Sequence, residues 1–266
     1  MKFSGLKPGQ VGAYIESVRG GEFWLFQHIP KTAGSTVVAE LARHRRPYVN
    51  IDVADNPDRL RRMPLLEQLT ARFLREQRGR RLSACSGHLS RSNIDAILTE
   101  RPETRLFTFV REPVSRVISE YNYCTSPLHN NPEAFIKRYP TLEHFARNRV
   151  SHNFMANYIT ENRDIDPREL VEYAFERFEF IGSQGYFRLS FRLLSTLLWH
   201  TSRTDARERA AAERTRRAAI PRHVLQLIRR NNRADTALFE AVTAVYDSCR
   251  DEIKRHTRFK PPVATD

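Results

Sequence analysis

Short runs of apolar residues recur along the chain and predict its strands. The clearest is Arg105 to Val110, which is apolar at nearly every position, as expected for a strand that is buried on both faces. Glu22 to His28 is a similar run near the N-terminus, and Phe178 to Gly182 is a late one. Tyr48 to Val53 alternates between apolar and polar residues, and Leu82 to Ser86 is a shorter candidate.

Helical spacing of apolar residues predicts helices between and after these strands. The first helix is expected to begin near Ser35 or Thr36. Others are expected to begin at Pro64 and Pro113, because proline suits the first position of a helix. The second half of the chain is mostly helical, with predicted helices at 142–148, 151–160, 167–177, 186–199, 223–230 and 235–255.

Three segments lack a regular pattern. Residues 1–22 are interpreted as an irregular lead-in, because glycines are scattered through them. Residues 127–140 are predicted to be a loop with one helical turn. Residues 200–217 are rich in Arg and Ala, and two interpretations stay open for them, a helical surface segment or a mobile loop. No shift in composition marks a domain boundary, so we predict one domain over residues 1–266.

The alternation of strands and helices predicts an α/β fold with a central parallel sheet, flanked by helices, and a helix-rich C-terminal half. Ligands of such sheets bind at the carboxyl ends of the strands. The loops that follow the predicted strands are therefore the places to look for chemistry.

The most informative loop joins the first strand to the first helix, and residues 30–36 read Pro-Lys-Thr-Ala-Gly-Ser-Thr. Loop amides and a helix N-terminus together form an anion site, and Lys31 can close over it. The loop is not a Walker A motif, because Pro30 precedes Lys31 where that motif has glycine. No acid of the Walker B type follows a clear strand to hold Mg²⁺. The pattern favours a phosphorylated ligand that is bound without a metal.

Two blocks carry a resemblance to a known family. Residues 30–36 resemble the 5′-phosphosulfate-binding loop of sulfotransferases that use 3′-phosphoadenosine 5′-phosphosulfate (PAPS). Residues 106–121 resemble the 3′-phosphate-binding segment of the same family: a strand ends in Arg111, Pro113 opens a helix, and Ser119 follows. Both blocks are most similar to the carbohydrate branch, which includes heparan sulfate 2-O-sulfotransferase. The resemblance implies a P-loop-like three-layer fold.

The resemblance implies a set of donor-binding residues. Lys31 would stabilise the negative charge that develops on the bridging oxygen, and is thus both catalytic and cofactor-binding. Arg111 and Ser119 would bind the 3′-phosphate. The residues implied to bind the 5′-phosphate beside Lys31 are Thr32, Ala33, Gly34, Ser35 and Thr36. The alternative for Ser35 and Thr36 is simple helix capping, and for Arg111 it is an ion pair with an acid such as Glu112.

A second catalytic residue is needed to remove a proton from the acceptor hydroxyl. Ser86-Gly87-His88 resembles the Gly-His segment of the family, whose histidine serves as the base, so His88 is the candidate. The alternative is a structural histidine at the end of a strand. His28 is the rival base, and we interpret it as packing or loop support. Arg116 is interpreted as a solvated helix residue.

Composition narrows the choice of partners. The chain has 266 residues and a formal net charge of +13, which attracts polyanions such as nucleotides and acidic glycans. No nucleic-acid-binding motif is present, so we do not expect nucleic acid as a partner. The three cysteines are scattered, which favours free thiols over a zinc site or a disulfide framework. No apolar run is long enough to span a bilayer and no signal peptide is visible, so we expect a cytoplasmic location.

The resulting hypothesis is a PAPS-dependent sulfotransferase that needs no metal. It would move a sulfuryl group by in-line transfer to a hydroxyl acceptor, a carbohydrate or glycolipid that could be acidic. One alternative is an ATP-dependent kinase on a P-loop-like fold, which would require Mg²⁺. The other is a non-enzymatic basic protein that binds polyanions, with strong salt dependence.

Overall fold

A five-stranded sheet forms the centre of the molecule. The computed structural model describes residues 1–51, 53, 59–199 and 220–257. The strands are β1 (Trp24–Gln27), β2 (Tyr48–Ile51), β3 (Ala84–Gly87), β4 (Arg105–Val110) and β5 (Phe180–Ser183). They lie in the order β2-β3-β1-β4-β5, and all neighbouring pairs are parallel. This topology confirms the predicted α/β fold with a central parallel sheet.

The described helices connect and cover these strands. In the first half they are α1 (Val11–Val18), α2 (Gly34–His44), α3 (Arg59–Glu76), α4 (Arg91–Glu100) and α5 (Pro113–Cys124). In the second half they are α6 (Pro132–Arg138), α7 (Leu142–Arg147), α8 (Phe154–Thr160), α9 (Pro167–Arg177), α10 (Phe187–Leu198), α11 (Arg222–Asn231) and α12 (Arg233–His256). The predicted helix-rich C-terminal half is thereby confirmed.

The transition from β4 to α5 shows how local sequence sets an element boundary. The apolar run of β4 is buried from Leu106 onwards, which suits a strand with neighbours on both sides. Pro113 stands at the first helical position of α5, where its missing N–H removes no intrahelical bond. The carboxylate of Glu112 caps the helix by accepting hydrogen bonds from the amides of Val114 and Ser115.

Within the described parts of the chain, buried apolar side chains form two clusters. The larger surrounds the sheet and includes every described strand. The smaller lies among α5, α6, α7 and α11, and contains Val117, Phe135, Phe145 and Ile228. One side of α5 therefore packs on helices of the second half while its N-terminus adjoins the sheet edge.

A buried polar cluster (Arg116, Glu120, Phe154 and Asp235) joins α5, α8 and α12. Arg116 is fully buried, bonds Glu120 at 2.7 Å, and its guanidinium lies 4.1 Å from the centre of the Phe154 ring. The carboxylate of Asp235 accepts the first amides of α8, from Met155 at 3.0 Å and a neighbouring residue at 2.8 Å. Burial raises the pKa of Asp235, against the opposing effect of these amides.

Several expectations from the sequence are wrong in detail. Residues 1–22 contain α1, whose apolar face is buried in the core, and residues 127–140 contain the two-turn helix α6. Pro64 lies inside α3 and does not open it. Arg116 is not solvated, because it is held in the buried polar cluster. The segment 200–217 lies outside the described residues.

The cysteines are confirmed as free, and all three are buried. Among the helices within the described ranges, none has the length and hydropathy required to cross a membrane.

Candidate active site

Three adjacent strands end at the same edge of the sheet, and each is followed by a predicted site residue. In register, Gln27 of β1 lies between Gly87 of β3 and Thr108 of β4. His88 comes directly after β3, Lys31 lies in the loop after β1, and Arg111 comes directly after β4. Strands β2 and β3 lie on one side of β1, and β4 and β5 lie on the other, so the strand order reverses at β1. Parallel sheets bind their ligands at such a reversal point.

The loop after β1 has a backbone conformation that residues other than glycine rarely adopt. Lys31 has a φ of 69° and Ala33 a φ of 85°, both in the left-handed region. Thr32 between them is fully buried and donates a hydrogen bond to the Ile29 carbonyl at 2.8 Å. Left-handed residues that alternate with others turn successive amides towards one point, which is a backbone nest for an anion. Such strain is found mainly at functional sites.

Helix α2 continues the nest. Its N-cap is Ala33, which makes no side-chain capping bond, so no side chain competes for the first amides of the helix. Gly34 is buried, Ser35 is exposed and Thr36 is half-buried in the first turn. The simple capping role considered for Ser35 and Thr36 does not occur, since the N-cap position belongs to Ala33.

Gly34 leaves room for the ring of His28. A Cβ added at Gly34 would lie 1.9 Å from Nε2 of His28. The His28 ring stacks on Phe26 at 5.3 Å and 14°. Burial, together with the smaller effects of the neighbouring His88 and Lys31, lowers the pKa of His28 to about 3. His28 is therefore neutral at neutral pH and packed, as expected for loop support and not for a base.

His88 is oriented by the backbone of the neighbouring strand. Its Nδ1 lies 2.7 Å from the carbonyl oxygen of His28, and the two rings are 4.2 Å apart. A carbonyl can only accept, so in the neutral ring Nδ1 carries the proton and Nε2 carries the lone pair. This is the tautomer that a general base uses.

The strands behind His88 are held closely together. A Cβ at Gly87 would lie 2.3 Å from the carbonyl oxygen of Ile51, so this glycine allows β2 to approach β3. The Ser86 hydroxyl donates to Oδ1 of Asn50 at 2.8 Å and lies 2.6 Å from the Tyr48 hydroxyl. These contacts limit the movement of the strand end that carries His88.

Arg111 connects the end of β4 to residues 30–36, the proposed phosphate loop. It is 6% exposed, and Nη1 donates to the carbonyl oxygen of Lys31 at 2.9 Å. The guanidinium therefore supports the residue with the left-handed backbone at the centre of the loop. Ser119 lies half-buried in α5, the helix that begins two residues after Arg111.

One residue at this site was missed by sequence reasoning. The Lys31 ammonium lies 4.2 Å from the centre of the Tyr123 ring, a cation–π contact. Tyr123 belongs to the last turn of α5 and is 40% exposed. Its spacing of one helical turn from Ser119 was the available signal, because residues four apart share a helix face.

Sequence comparison decides the family. A model of the sulfotransferase family matches residues 18–184, which include every predicted site residue. The chain belongs to the sulfotransferase family. As a member, it is a PAPS-dependent transferase that acts on an acceptor substrate.

Two further comparisons add less to the identification of this sulfotransferase. A search of curated proteins found no significant match. Among solved structures, the crystal structure of mouse sulfotransferase SULT7A1 complexed with PAP is similar to 96% of this chain and 95% of that chain. The sequence identity is 12% and the TM-score is 0.37.

Proposed function

We propose that this sulfotransferase transfers a sulfuryl group from PAPS to a hydroxyl of a carbohydrate or glycolipid. The observation that carries the proposal is the convergence of His88, Lys31 and Arg111 at the ends of three adjacent strands, with the tautomer of His88 set by the His28 carbonyl. The resemblance of residues 30–36 and 106–121 to the carbohydrate branch, which includes heparan sulfate 2-O-sulfotransferase, supports the acceptor class.

The residues at the sheet edge fit the donor. The nest of residues 31–33 and the first amides of α2 suit the 5′-phosphosulfate, with Thr32, Gly34, Ser35 and Thr36 beside Lys31. Arg111 and Ser119 would hold the 3′-phosphate, since a guanidinium binds phosphate oxygens in a bidentate manner. PAPS supplies a sulfuryl group that is already bonded to a phosphate leaving group. We expect no metal to be required.

His88 is proposed as the general base. Its Nε2 would accept the proton of the acceptor hydroxyl, while Nδ1–H keeps its bond to the His28 carbonyl and holds the ring in place. Lys31 would place a positive charge where negative charge develops at the donor. The remaining contribution is positioning, which is the main source of rate in related group transfers.

The acceptor is proposed on chemical grounds. A net charge of +13 favours an acidic glycan over a neutral one, because it raises the local concentration of anions. The predicted cytoplasmic location stays a prediction.

The first test is calorimetric titration with adenosine 3′,5′-bisphosphate, 5′-AMP, and ATP with Mg²⁺. We expect a clear preference for the bisphosphate, and loss of that preference in Arg111→Ala. Arg149→Ala is the matched control, because Arg149 is exposed and pairs with Asp164. A preference for ATP with Mg²⁺ would contradict the proposal and favour a kinase.

The second test is a turnover assay with PAPS and a panel of acceptors. The panel contains an acidic oligosaccharide, a glycolipid and a tyrosine peptide, and the sulfated product is detected by mass spectrometry. We expect product on a sugar hydroxyl. Product on the tyrosine peptide alone would overturn the carbohydrate assignment while leaving the donor assignment intact.

A further inference from the structure

Tyr123 stands beside the side chain on which the proposed chemistry depends. The ammonium of Lys31 lies 4.2 Å from the centre of the Tyr123 ring, which is within the range of a favourable cation–π contact. Lys31 has a long side chain with many rotamers, and the ring limits where its charge can lie. Lys31 and Tyr123 come from the loop after β1 and the far end of α5.

The position of the Tyr123 ring is itself determined by local contacts. The ring of His129 meets it edge-on, at 5.7 Å and 89°. The Tyr123 carbonyl accepts bonds from the amide of Ser126 at 3.1 Å and from its hydroxyl at 2.8 Å, which holds the end of α5 in a defined turn. The ring is thus presented by a structured helix end and not by a loose loop.

Packing does not account for the presence of this aromatic residue. Tyr123 is 40% exposed, whereas Tyr121 on the same helix packs against Phe135 and Phe145 in the smaller apolar cluster. The ring of Tyr123 contacts the Lys31 ammonium. An exposed ring that contacts a lysine of the phosphate loop is better explained by its effect on that lysine.

We propose that Tyr123 is a positioning residue, whose ring face holds the Lys31 ammonium in the place required for sulfuryl transfer. The proposal rests on the catalytic role proposed for Lys31. The ring, and not the phenolic hydroxyl, is the active feature, because the ring face carries the negative end of the quadrupole. Tyr123→Phe should therefore preserve the effect and Tyr123→Leu should remove it.

The experiment measures two quantities on the full-length protein. The first is the rate at which Lys31 reacts with an amine reagent such as trinitrobenzenesulfonate, read by peptide mapping. The second is kcat and KM for PAPS with a fixed acceptor. Tyr121→Leu is the matched control, since it makes the same substitution on the same helix at a ring that packs against Phe135. Thermal unfolding of each variant confirms that it is folded.

We expect the reagent to label Lys31 faster in Tyr123→Leu than in wild type. We also expect kcat to fall about tenfold in this variant with little change in KM, as the loss of a partly desolvated cation–π contact predicts. Tyr123→Phe should restore most of both values, and Tyr121→Leu should lower only the melting temperature. Lys31 labelling at the wild-type rate in Tyr123→Leu would overturn the proposal, as would a Tyr123→Phe variant as impaired as Tyr123→Leu. Labelling does not require turnover, so failure of the proposed function would be seen separately, as an inactive wild type.

Discussion

The phosphate loop and the buried polar cluster both place charged residues close to the core, but they satisfy them in different ways. In the cluster, Arg116 bonds Glu120 and Asp235 caps α8, so each charge is directed at the protein itself. In the loop, left-handed backbone at Lys31 and an N-cap without a side-chain bond direct amides towards a point outside the chain. The first arrangement stabilises the fold. The second lowers the stability of the fold and provides a binding site.

The comparison implies opposite responses to mutation. Changes in the loop residues should reduce activity much more than stability. Changes in the cluster should reduce stability, while the molecules that remain folded keep their affinity for the donor. Four experiments break or sharpen this contrast.

The largest expected effect is on catalysis, from His88→Asn. The asparagine amide can still donate to the His28 carbonyl, but the variant has no lone pair at the Nε2 position. We expect kcat to fall about 10²- to 10⁴-fold, with a small change in the free energy of unfolding. Initial rates with PAPS and urea titrations measure the two quantities. His144→Asn, a change at an exposed histidine of α7, is the control. Wild-type turnover in His88→Asn would mean that the base is elsewhere.

The second effect is on stability, from Asp235→Ala in the buried polar cluster. The variant leaves the amides of Met155 and Ala156 without their acceptor and removes one of the negative charges near Arg116, which keeps its bond to Glu120. We expect a loss of about 3 kcal/mol in the free energy of unfolding. Affinity for adenosine 3′,5′-bisphosphate should be unchanged in conditions where the variant is folded.

Asp164→Ala provides the control for the cluster. Asp164 pairs with Arg149 on the surface, with both side chains 69% exposed, so its loss should cost at most about 1 kcal/mol. Equal losses in Asp235→Ala and Asp164→Ala would contradict the view that burial gives the cluster its importance.

The third experiment tests a position where the stability of the fold and the affinity for the bisphosphate should fall together. Gly34→Ala places a Cβ 1.9 Å from the His28 ring, which must then leave its stack on Phe26. We expect a loss of about 1 to 3 kcal/mol in stability together with weaker binding of the bisphosphate. Gly185→Ala is the control, because the nearest atom to its Cβ is 3.4 Å away. If both variants bind the bisphosphate and unfold like wild type, the His28 ring can leave its stack on Phe26 without loss of stability, and the prediction is wrong.

The smallest effect is a pH dependence that arises from His28. Its pKa is about 3 in the folded protein and about 6.5 when unfolded, so the unfolded chain binds more protons between these values. Stability must therefore fall as pH falls through this window. From pH 7 to pH 5 the contribution of this group should fall by about 2 kcal/mol.

The matching variant is His28→Gln, which has no group that titrates in this range. We expect the stability advantage of wild type over His28→Gln to shrink between pH 7 and pH 5, in urea titrations at each pH. A constant difference in stability would mean that His28 takes up its proton as easily in the folded protein as in the unfolded chain.

The elements that sequence predicted well are those whose signals are local. The β4 run and α9 were predicted with the bounds that the structure shows, because a continuous apolar run and a proline at the first helical position are read within a few residues. The loop of residues 30–36 was singled out for the same reason, and its role in binding phosphate stays a prediction. Helix α4 was missed, although Ser90 and Asn93 form a capping box at its start.

The features that sequence could not predict depend on partners far apart in the chain. Asp235 and Met155 are separated by 80 residues, and nothing near Asp235 indicates that it caps another helix. Arg116 is polar and lies in the first turn of a proline-initiated helix, so local rules assign it to the surface. Contacts with Phe154 and Glu120 nevertheless hold it in the interior. The contact of Lys31 with Tyr123 is of the same kind.

Helix α5 sets the distances between residues with proposed functions. It begins two residues after Arg111, carries Ser119 in its middle and places Tyr123 of its last turn against Lys31, so its length sets the spacing of three residues with proposed functions. Each residue added to a helix advances the chain by about 1.5 Å and turns it by about 100°. A single insertion between Arg111 and Tyr123 would therefore point Tyr123 away from the loop. Conservative substitutions along this helix should be tolerated far better than any change in its length.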